Sequence, residues 1–326
     1  MRAKLARLLA GFAVAITLSA LSALSGAAAD YPDRPIRLVV PYPPGGGADI
    51  SSRIISQYLG EALGKPVIVD NRPGAAGNIG TEAVARAAPD GHTLLLASIA
   101  TSVNASLFSN LPFNTKDFQP VSLFITVPLM MVVSPTFAPR SVGDLIALAK
   151  TRPGQLNYAS GGLGTANHIA GELFKYMANV DITHVPYKGG GPALNDVIGG
   201  QVQLYFGTVA SVREQAKAGR VRALATTGAT RSSAAPELPT VAESGLPGFE
   251  VVAWYGVLAP AGTPQSIVDR LATELSRIVR IPAVQEQIKA QGAEAIGSTP
   301  AEARRFLDAE IDKWAKVVKS SGMRAE

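Results

Sequence analysis

Short apolar runs alternate with glycine-rich segments and helical patterns along most of the chain. In the first unit, the apolar run at residues 36–40 leads into three consecutive glycines at residues 45–47, and apolar residues then recur at helical spacing from Ile50 to Leu63. Two similar units follow, with strand-like runs at residues 67–69 and 93–97. Repetition of strand, loop and helix is typical of parallel βαβ units. The pattern predicts an α/β fold with its loops at the carboxyl ends of the strands, where open α/β sheets bind ligands.

The same order of elements occurs again in the middle of the chain. Residues 118–133 are rich in β-forming residues and prolines, and we interpret them as a strand that crosses into a second lobe. Three predicted strands beyond it again lead into glycine-rich or polar turns, at residues 156–159, 182–187 and 202–206. The apolar run 251–258 is the predicted return strand. We therefore expect two lobes, with residues 30–127 and 255–326 in lobe 1 and residues 128–254 in lobe 2.

Two helices are predicted after the return strand, each with a recognisable start. Thr263 precedes Pro264, which is typical of an N-cap residue followed by a proline in the first turn. Thr299 and Glu302 have the spacing of a capping box. Both helices carry an apolar stripe, so we predict that they pack on the fold and take no part in a site.

The first 29 residues have the pattern of a secretory signal. Arg2, Lys4 and Arg7 precede an apolar run at residues 8–24, and small residues lead to an A-x-A site at residues 27–29. A single transmembrane anchor is the alternative, but glycine and hydroxyl residues interrupt the run. The chain contains no cysteine, which excludes disulfides, thiolate metal sites and a lipid-modified cysteine. We predict cleavage after Ala29 and an exported protein that is not anchored to the membrane.

The charge of the chain gives little support to nucleic acid binding. The sequence has 30 Lys+Arg and 25 Asp+Glu, and residues 1–29 hold three basic and no acidic residues, so 27 minus 25 leaves a formal charge of +2 after cleavage. No basic stripe with interleaved aromatic residues is present in the remainder. The chain is 47% hydrophobic and 17% charged, which indicates a large buried core.

Motifs for nucleotide, metal and hydrolase chemistry are missing or incomplete. The loop at residues 45–49 has neither the lysine and hydroxyl residue of a P-loop nor the G-x-G-x-x-G of a dinucleotide site. The three histidines, His92, His168 and His184, show no metal-ligand spacing, so we predict no metal and no cofactor. Ser160 lacks the G-x-S-x-G context of a nucleophile elbow. A hydrolase that uses Ser160 or His168 stays open as an alternative.

The glycine-rich loops suit an anion. Glycines let backbone N–H groups approach a ligand, and the start of the next helix adds unpaired donors and the positive end of its dipole. We expect a carboxylate there, and we expect Gly46 to need a positive φ. A polar cluster that includes Ser98 and Asn104 follows the third strand, at the same predicted edge.

For several polar residues near these loops the sequence leaves two interpretations open. Asp49 is either a helix N-cap or a ligand contact, or both. For His168 we favour a structural hydrogen bond over a place in the cleft, and for His184 we favour packing. Lys188 either pairs with an anion or is solvated. Asp196 either lies at the surface or contacts a ligand amine.

Six segments together resemble one known family, and they occur in the order in which that family has them. They are Tyr-Pro-x-Arg-Pro-Ile-Arg at residues 31–37, Pro-Tyr-Pro-Pro-Gly-Gly-Gly-Ala-Asp at 41–49, Asn-Arg-Pro-Gly-Ala-Ala-Gly-Asn-Ile-Gly at 71–80, Pro-Asp-Gly-His-Thr-Leu at 89–94, Tyr-Ala-Ser-Gly-Gly-x-Gly-Thr at 158–165 and Val-Pro-Tyr-Lys-Gly-Gly at 185–190. They closely resemble the extracytoplasmic substrate-binding receptors of tripartite tricarboxylate transporters, the Bug family. The resemblance spans nearly the whole chain after the signal.

The resemblance implies a periplasmic binding protein of the two-lobed, Venus-flytrap type, similar to type II, with two crossover hinge strands. It implies a monomer without enzymatic activity that binds a small carboxylate and delivers it to membrane permease subunits. A sensor that binds the same ligand and signals to a membrane kinase is the alternative within this class. Carried over by motif, the ligand contacts would be Tyr42, Gly45, Gly46, Asp49, Asn78 and Ser98 in lobe 1 and Ser160, Thr165, Gly189, Asp196 and Thr208 in lobe 2.

Overall fold

The computed structural model describes residues 31–321 and residue 323. The predicted signal peptide, its cleavage site and Asp30 lie outside these residues. No helix in the described part is long and apolar enough to span a membrane.

Lobe 1 is built on three parallel strands with helices between them. β1 (Ile36–Val40) lies between β2 (Val67–Asn71) and β3 (Thr93–Ser98), with Ile36 opposite Val67 and Arg37 opposite Thr93. The connecting segments contain α1 (Gly47–Leu63), a 3₁₀ turn (Ala75–Gly77), α2 (Asn78–Ala85) and α3 (Ile99–Leu107). β1 and β3 are almost wholly buried, as expected for parallel strands covered on both faces. The predicted βαβ order is confirmed.

Lobe 2 repeats this arrangement. β5 (Leu156–Ser160) lies between β6 (Ile182–Pro186) and β7 (Leu204–Thr208), and all three strands are parallel. Helices α4 (Val142–Thr151), α5 (Ala166–Ala178), α6 (Gly190–Ile198) and α7 (Val209–Lys217) precede or follow them, and β8 (Arg222–Thr226) completes the lobe. In both lobes the glycine-rich loops therefore stand at the carboxyl ends of parallel strands.

Two antiparallel strands connect the lobes, as predicted. β4 (Phe118–Val133) pairs with β9 (Val252–Pro260) along residues 118–128, and β9 also pairs with β3. Beyond residue 128, β4 pairs instead with β7 and β8, so that one strand belongs to the sheets of both lobes. The change of partner falls between Pro128 and Leu129. The domain boundaries given above stay a prediction, which this change of partner supports.

The C-terminal elements pack on lobe 1. They are α8 (Gln265–Ile278), α9 (Pro282–Ala290), the short strand β10 (Glu294–Ala295) and α10 (Pro300–Ser321). The capping box before α10 is confirmed, because the Thr299 N–H donates to the Glu302 carboxylate and the Glu302 N–H donates to the Thr299 hydroxyl. The predicted N-cap at Thr263 is wrong. Its hydroxyl donates to the Pro260 carbonyl within the turn, and α8 begins at Gln265.

The buried face of α1 follows the predicted apolar pattern only in part. The helix begins at Gly47, earlier than its apolar pattern indicates, and Ile50 is 43% exposed. Ile55, Leu59 and Leu63 of the predicted pattern are buried, and so are the small residues Ala48 and Ser52. Ser52 can be buried because its hydroxyl donates to the Ala48 carbonyl one turn earlier. The start of α1 thus buries small and polar residues as well as apolar ones.

Candidate functional site

In the part of the chain that the structure describes, five helices begin at the carboxyl ends of strands without a side-chain cap. Their N-cap residues are Gly46, Gly77, Thr165, Gly189 and Thr208, and none of these side chains accepts a hydrogen bond from the first turn. The first N–H groups of a helix have no partner within the helix, and they carry the positive end of its dipole. The two lobes therefore present several sets of N–H donors that suit an anion.

The strand ends of the two lobes face each other. Gly164, in the loop after β5, lies against Ala76 and Asn104 of lobe 1, since a Cβ atom placed on Gly164 would be 3.2 Å from the Ala76 Cβ and 3.2 Å from the Asn104 Oδ1. Gly164 itself has φ +73°. The loops that follow β2 and β5 are thus in contact, and the lobes are close together at this point.

The glycine loop of lobe 1 is held by Asp49 from within the first turn of α1. Its carboxylate accepts hydrogen bonds from the Gly45 N–H (2.9 Å), from Asn71 Nδ2 (3.0 Å) and from Arg53 Nε (3.0 Å), and the side chain is buried, with 3% of the residue exposed. Burial alone would raise the pKa of Asp49, but these hydrogen bonds and the charge of Arg53 hold the pKa below its ordinary value. The buried, ionised carboxylate of Asp49 thus fixes the conformation of the glycine loop.

Two expectations for this loop need correction. The N-cap residue is Gly46 and not Asp49, which is the third residue of α1. Gly46 has φ −82°, and the positive φ of +84° occurs at Gly45. Both oxygens of Asp49 already accept protein donors, and the Gly45 N–H is one of those donors. Contacts of Asp49 and Gly45 with a ligand stay predictions.

A cluster of hydroxyl groups lies beside the start of α1. The hydroxyls of Tyr42 and Ser98 are 2.5 Å apart, and Ser98 also caps α3, where its Oγ accepts the Ala100 N–H. Tyr255, on β9, stands next to Tyr42 and Gly47. Burial raises the pKa of both phenols, so that they remain neutral donors. From the sequence, Tyr255 was predicted only as part of the return strand, because its place opposite Ser98 depends on the pairing of β3 with β9.

Asn78 belongs to a buried amide cluster on the same lobe. Its Oδ1 accepts a hydrogen bond from Asn104 Nδ2 (2.8 Å), and Asn104 Nδ2 also donates to the Ala76 carbonyl (3.0 Å). The Asn104 Oδ1 is buried without a hydrogen-bond partner. Asn104 thus positions the 3₁₀ turn that meets Gly164. The sequence indicated only that Asn104 belongs to a polar cluster after β3. Its hydrogen-bond partners could not be predicted, because they are distant in the sequence.

Ser160 and the two neighbouring histidines form a buried network in lobe 2. Ser160 Oγ lies 2.6 Å from His184 Nε2 and accepts the Gly162 N–H (3.0 Å), and Ser160 has no exposed surface. His168 Nδ1 accepts the Gly164 N–H (3.3 Å), which confirms the structural hydrogen bond predicted for it. His184 stacks on Tyr158, as packing predicts, but it also bonds Ser160, which was missed. This network holds the loop that contains Gly164.

Both imidazoles are kept neutral by their surroundings. The ring centroids of His168 and His184 are 4.4 Å apart. Burial lowers the pKa of His168 to about 3, with further contributions from the charges of His184 and Lys175. Burial, with the charge of Lys175, lowers the pKa of His184 to about 4. At neutral pH these histidines therefore act as hydrogen-bonding groups without charge.

The other residues predicted for lobe 2 divide into two groups. Thr165, Gly189 and Thr208 stand at the starts of α5, α6 and α7, where the Thr165 hydroxyl donates to the Gly162 carbonyl (2.7 Å). Gly189 has φ +113°, a conformation that favours glycine. Asp196 lies further along α6 and accepts the Tyr187 hydroxyl at 2.6 Å. Asp196 is thus engaged within its own lobe, and its contact with a ligand stays a prediction.

A two-lobed α/β fold with two connecting strands, and with helix N-termini facing between the lobes, defines a periplasmic binding protein. Residues 51–323 match the family model described as the tripartite tricarboxylate transporter family receptor, TctC, and the chain belongs to that family. The resemblance noted in the sequence, and the predicted fold class, are confirmed. Within the described residues, no group of three or more His, Asp or Glu side chains is arranged to hold a metal ion.

Relatives of the protein cover nearly its whole length. It is 40% identical to the protein BugT of Bordetella pertussis over 321 residues, which is 98% of each chain. The solved structure of Rpa4515 from R. palustris with adipate has 37% identity and a TM-score of 0.83, and the match covers 90% of this chain and 99% of that one. MatC from Rhodopseudomonas palustris, solved with bound malate, has 31% identity and a TM-score of 0.81, over 88% and 100% of the two chains.

Proposed function

We propose that this receptor binds a small carboxylate between its lobes, in the periplasm, and delivers it to the membrane permease subunits of a tripartite transporter. The observation that carries the proposal is the set of uncapped helix starts on both lobes, at Gly46, Thr165, Gly189 and Thr208. A carboxylate is an acceptor only, so it matches a site made of N–H and O–H donors. The ligands of Rpa4515 and MatC, adipate and malate, are of this class.

The donors are neutral, which favours reversible capture. Arg53, on α1 after the first glycine loop, is paired with Asp49 at 2.9 Å, and Lys188 lies exposed beside the second-lobe loop. Backbone donors fixed by the fold bind an anion without the ordering of long charged side chains. A receptor that must release its ligand to a membrane partner gains from such a site.

Ligand-induced stabilisation tests the proposal. Binding to the native state alone adds about 2.7 kcal/mol at a ligand concentration one hundred times the dissociation constant. We expect at least one mono- or dicarboxylate, with adipate and malate as the first probes, to raise the melting temperature by several degrees. Neutral diamides of the same acids serve as matched controls. A shift with amines or sugars, and none with any carboxylate, would contradict the assignment.

An enzymatic role for Ser160 is the alternative to be tested beside it. The Ser160 side chain is buried and hydrogen-bonded to His184 and Gly162, which leaves a substrate no approach in this arrangement. We expect no conversion of an ester and carboxylate panel. A conversion that is lost in Ser160→Ala would contradict the receptor function.

Export and delivery require separate measurements. We expect the mature protein purified from the periplasm to begin at Asp30 by intact mass, and a mass that still includes Met1 would contradict cleavage. For delivery, cells that contain the membrane permease subunits of a tripartite transporter should take up the labelled ligand only when the receptor is present. Uptake that is unchanged without the receptor, together with loss of a ligand-dependent transcriptional response, would favour the sensor.

A further inference from the structure

The hydroxyl of Tyr255 stands free beside the start of α1. A Cβ atom placed on Gly47, the first residue of α1, would lie 3.5 Å from this hydroxyl oxygen. The side chain is half-buried, and among the described residues its hydroxyl has no hydrogen-bond partner and is not sealed from solvent. The neighbouring Tyr42 differs, since its hydroxyl is paired with Ser98. The Tyr255 hydroxyl is thus an available hydrogen-bond donor next to the uncapped N–H groups at the start of α1.

The direction of Tyr255 follows from its position on β9. Successive side chains of a strand point to opposite faces. Trp254 points away from the glycine loop, because its Nε1 donates to Glu310 Oε2 of α10 at 3.2 Å. Tyr255 therefore points to the face on which α1 begins, in agreement with its contact to Gly47. The strand that connects the two lobes carries this side chain toward the cleft.

We propose that the Tyr255 hydroxyl donates a hydrogen bond to the bound carboxylate, at the oxygen that also receives the first N–H groups of α1. This assignment rests on the proposed function and deepens it. The phenol is neutral, because burial and the nearby Tyr42 both favour the protonated form, so it presents a proton and not a charge. The backbone N–H groups are donors only and the phenol adds an O–H donor, so together they favour a carboxylate over an ammonium group.

The position of Tyr255 also links the ligand to the hinge. Tyr255 pairs through its backbone with Ser98 of β3 and with Ile125 of β4, the strand that enters both lobes. A ligand held by its hydroxyl thus contacts the crossing strands directly as well as the glycine loops.

Substitution of Tyr255 by phenylalanine tests the assignment. The change removes only the hydroxyl, which has no protein partner, so no polar group is left unpaired and the ligand-free protein should melt at the same temperature as the unmodified protein. Affinity for the tighter of adipate and malate, or for the tightest member of a carboxylate panel, should fall about tenfold or more by calorimetry, as expected for a hydrogen bond to a charged acceptor. Tyr176→Phe removes a phenol from α5 that is 47% exposed, and it should bind as the unmodified protein does.

The outcomes separate the two claims. If the unmodified protein binds a carboxylate and Tyr255→Phe binds it within twofold, the role of Tyr255 is refuted while the receptor function stands. A lower melting temperature of ligand-free Tyr255→Phe with a matching loss of affinity would show a structural role and would also refute it. Failure of the unmodified protein to bind any carboxylate would overturn the proposed function together with this inference.

Discussion

Gly164 offers the sharpest test of whether the contact between the lobes seen here is also present in the ligand-bound receptor. In Gly164→Ala, the added methyl group would lie 3.2 Å from both the Ala76 Cβ and the Asn104 Oδ1, across the space between the lobes. Carbon atoms in favourable contact are about 3.5–4.0 Å apart. The two lobes must therefore move slightly apart at this contact.

Two effects of this substitution can be separated in magnitude. Alanine at φ +73° costs about 1–2 kcal/mol in folding free energy whether the lobes are open or closed. The clash with lobe 1 exists only in the closed state, and overpacking of a close contact costs typically about 1–3 kcal/mol. That cost falls on ligand binding, and it corresponds to a loss of affinity of about 5-fold to about 150-fold.

Gly219→Ala is the matched control. Gly219 has a similar φ of +69°, and a Cβ atom there would meet no other atom within 4 Å. We expect both variants to lose a few degrees of melting temperature, and only Gly164→Ala to lose affinity for the carboxylate in calorimetry. If the two variants bind the ligand equally well, the contact of Gly164 with Ala76 and Asn104 is not part of the ligand-bound state and the reasoning is refuted.

Three further predictions concern the loops and the buried histidines. Gly46→Asp places a carboxylate at the N-cap of α1, where it accepts hydrogen bonds from the first N–H groups itself. We therefore expect normal folding by circular dichroism but no carboxylate binding, with Gly46→Ala as the control. Carboxylate binding by Gly46→Asp would show that the ligand does not use these donors. Lys188→Ala should weaken binding less than about tenfold, because an exposed charge pair contributes about 0–1 kcal/mol, and a larger loss in calorimetry would mean that a side-chain charge holds the ligand. The folded-state pKa values of His168 and His184, about 3 and about 4, lie below the ordinary value of 6.5. As the pH falls, the unfolded chain therefore binds protons before the folded chain does. The free energy of unfolding should decline as the pH falls from 6.5 towards 4. Denaturant titrations of His184→Gln should show a smaller decline, and an unchanged profile would contradict the assignment.

Local sequence patterns were sufficient to predict the elements that carry the loops. The apolar run at residues 36–40 became β1 and the β-rich stretch at residues 118–133 became β4 with the predicted bounds. Both predictions depend only on residues that are neighbours in the sequence, since a run of consecutive apolar or β-forming residues is enough to indicate a buried strand. For the same reason the capping box of Thr299 and Glu302 was predicted correctly.

The partners of the site residues could not be predicted, because they come from strands and loops far apart in the chain. Ser160 meets His184 only because β5 and β6 are neighbours in parallel register, and Tyr255 meets the glycine loop only because β9 pairs with β3. The N-cap position predicted for Asp49 was wrong for a related reason. A residue's place relative to a helix start depends on where the loop turns, and here the turn at Gly45 puts Asp49 inside the first turn.

A crystal structure of the protein with the carboxylate that it binds most tightly tests the central claim most directly. The account predicts one carboxylate group between the lobes, with oxygens in hydrogen-bond distance of the first N–H groups of α1, after Gly46, and of donors at the starts of the lobe 2 helices, at Thr165 or Gly189. A carboxylate bound to one lobe alone, or at a distance from both glycine-rich loops, would contradict it.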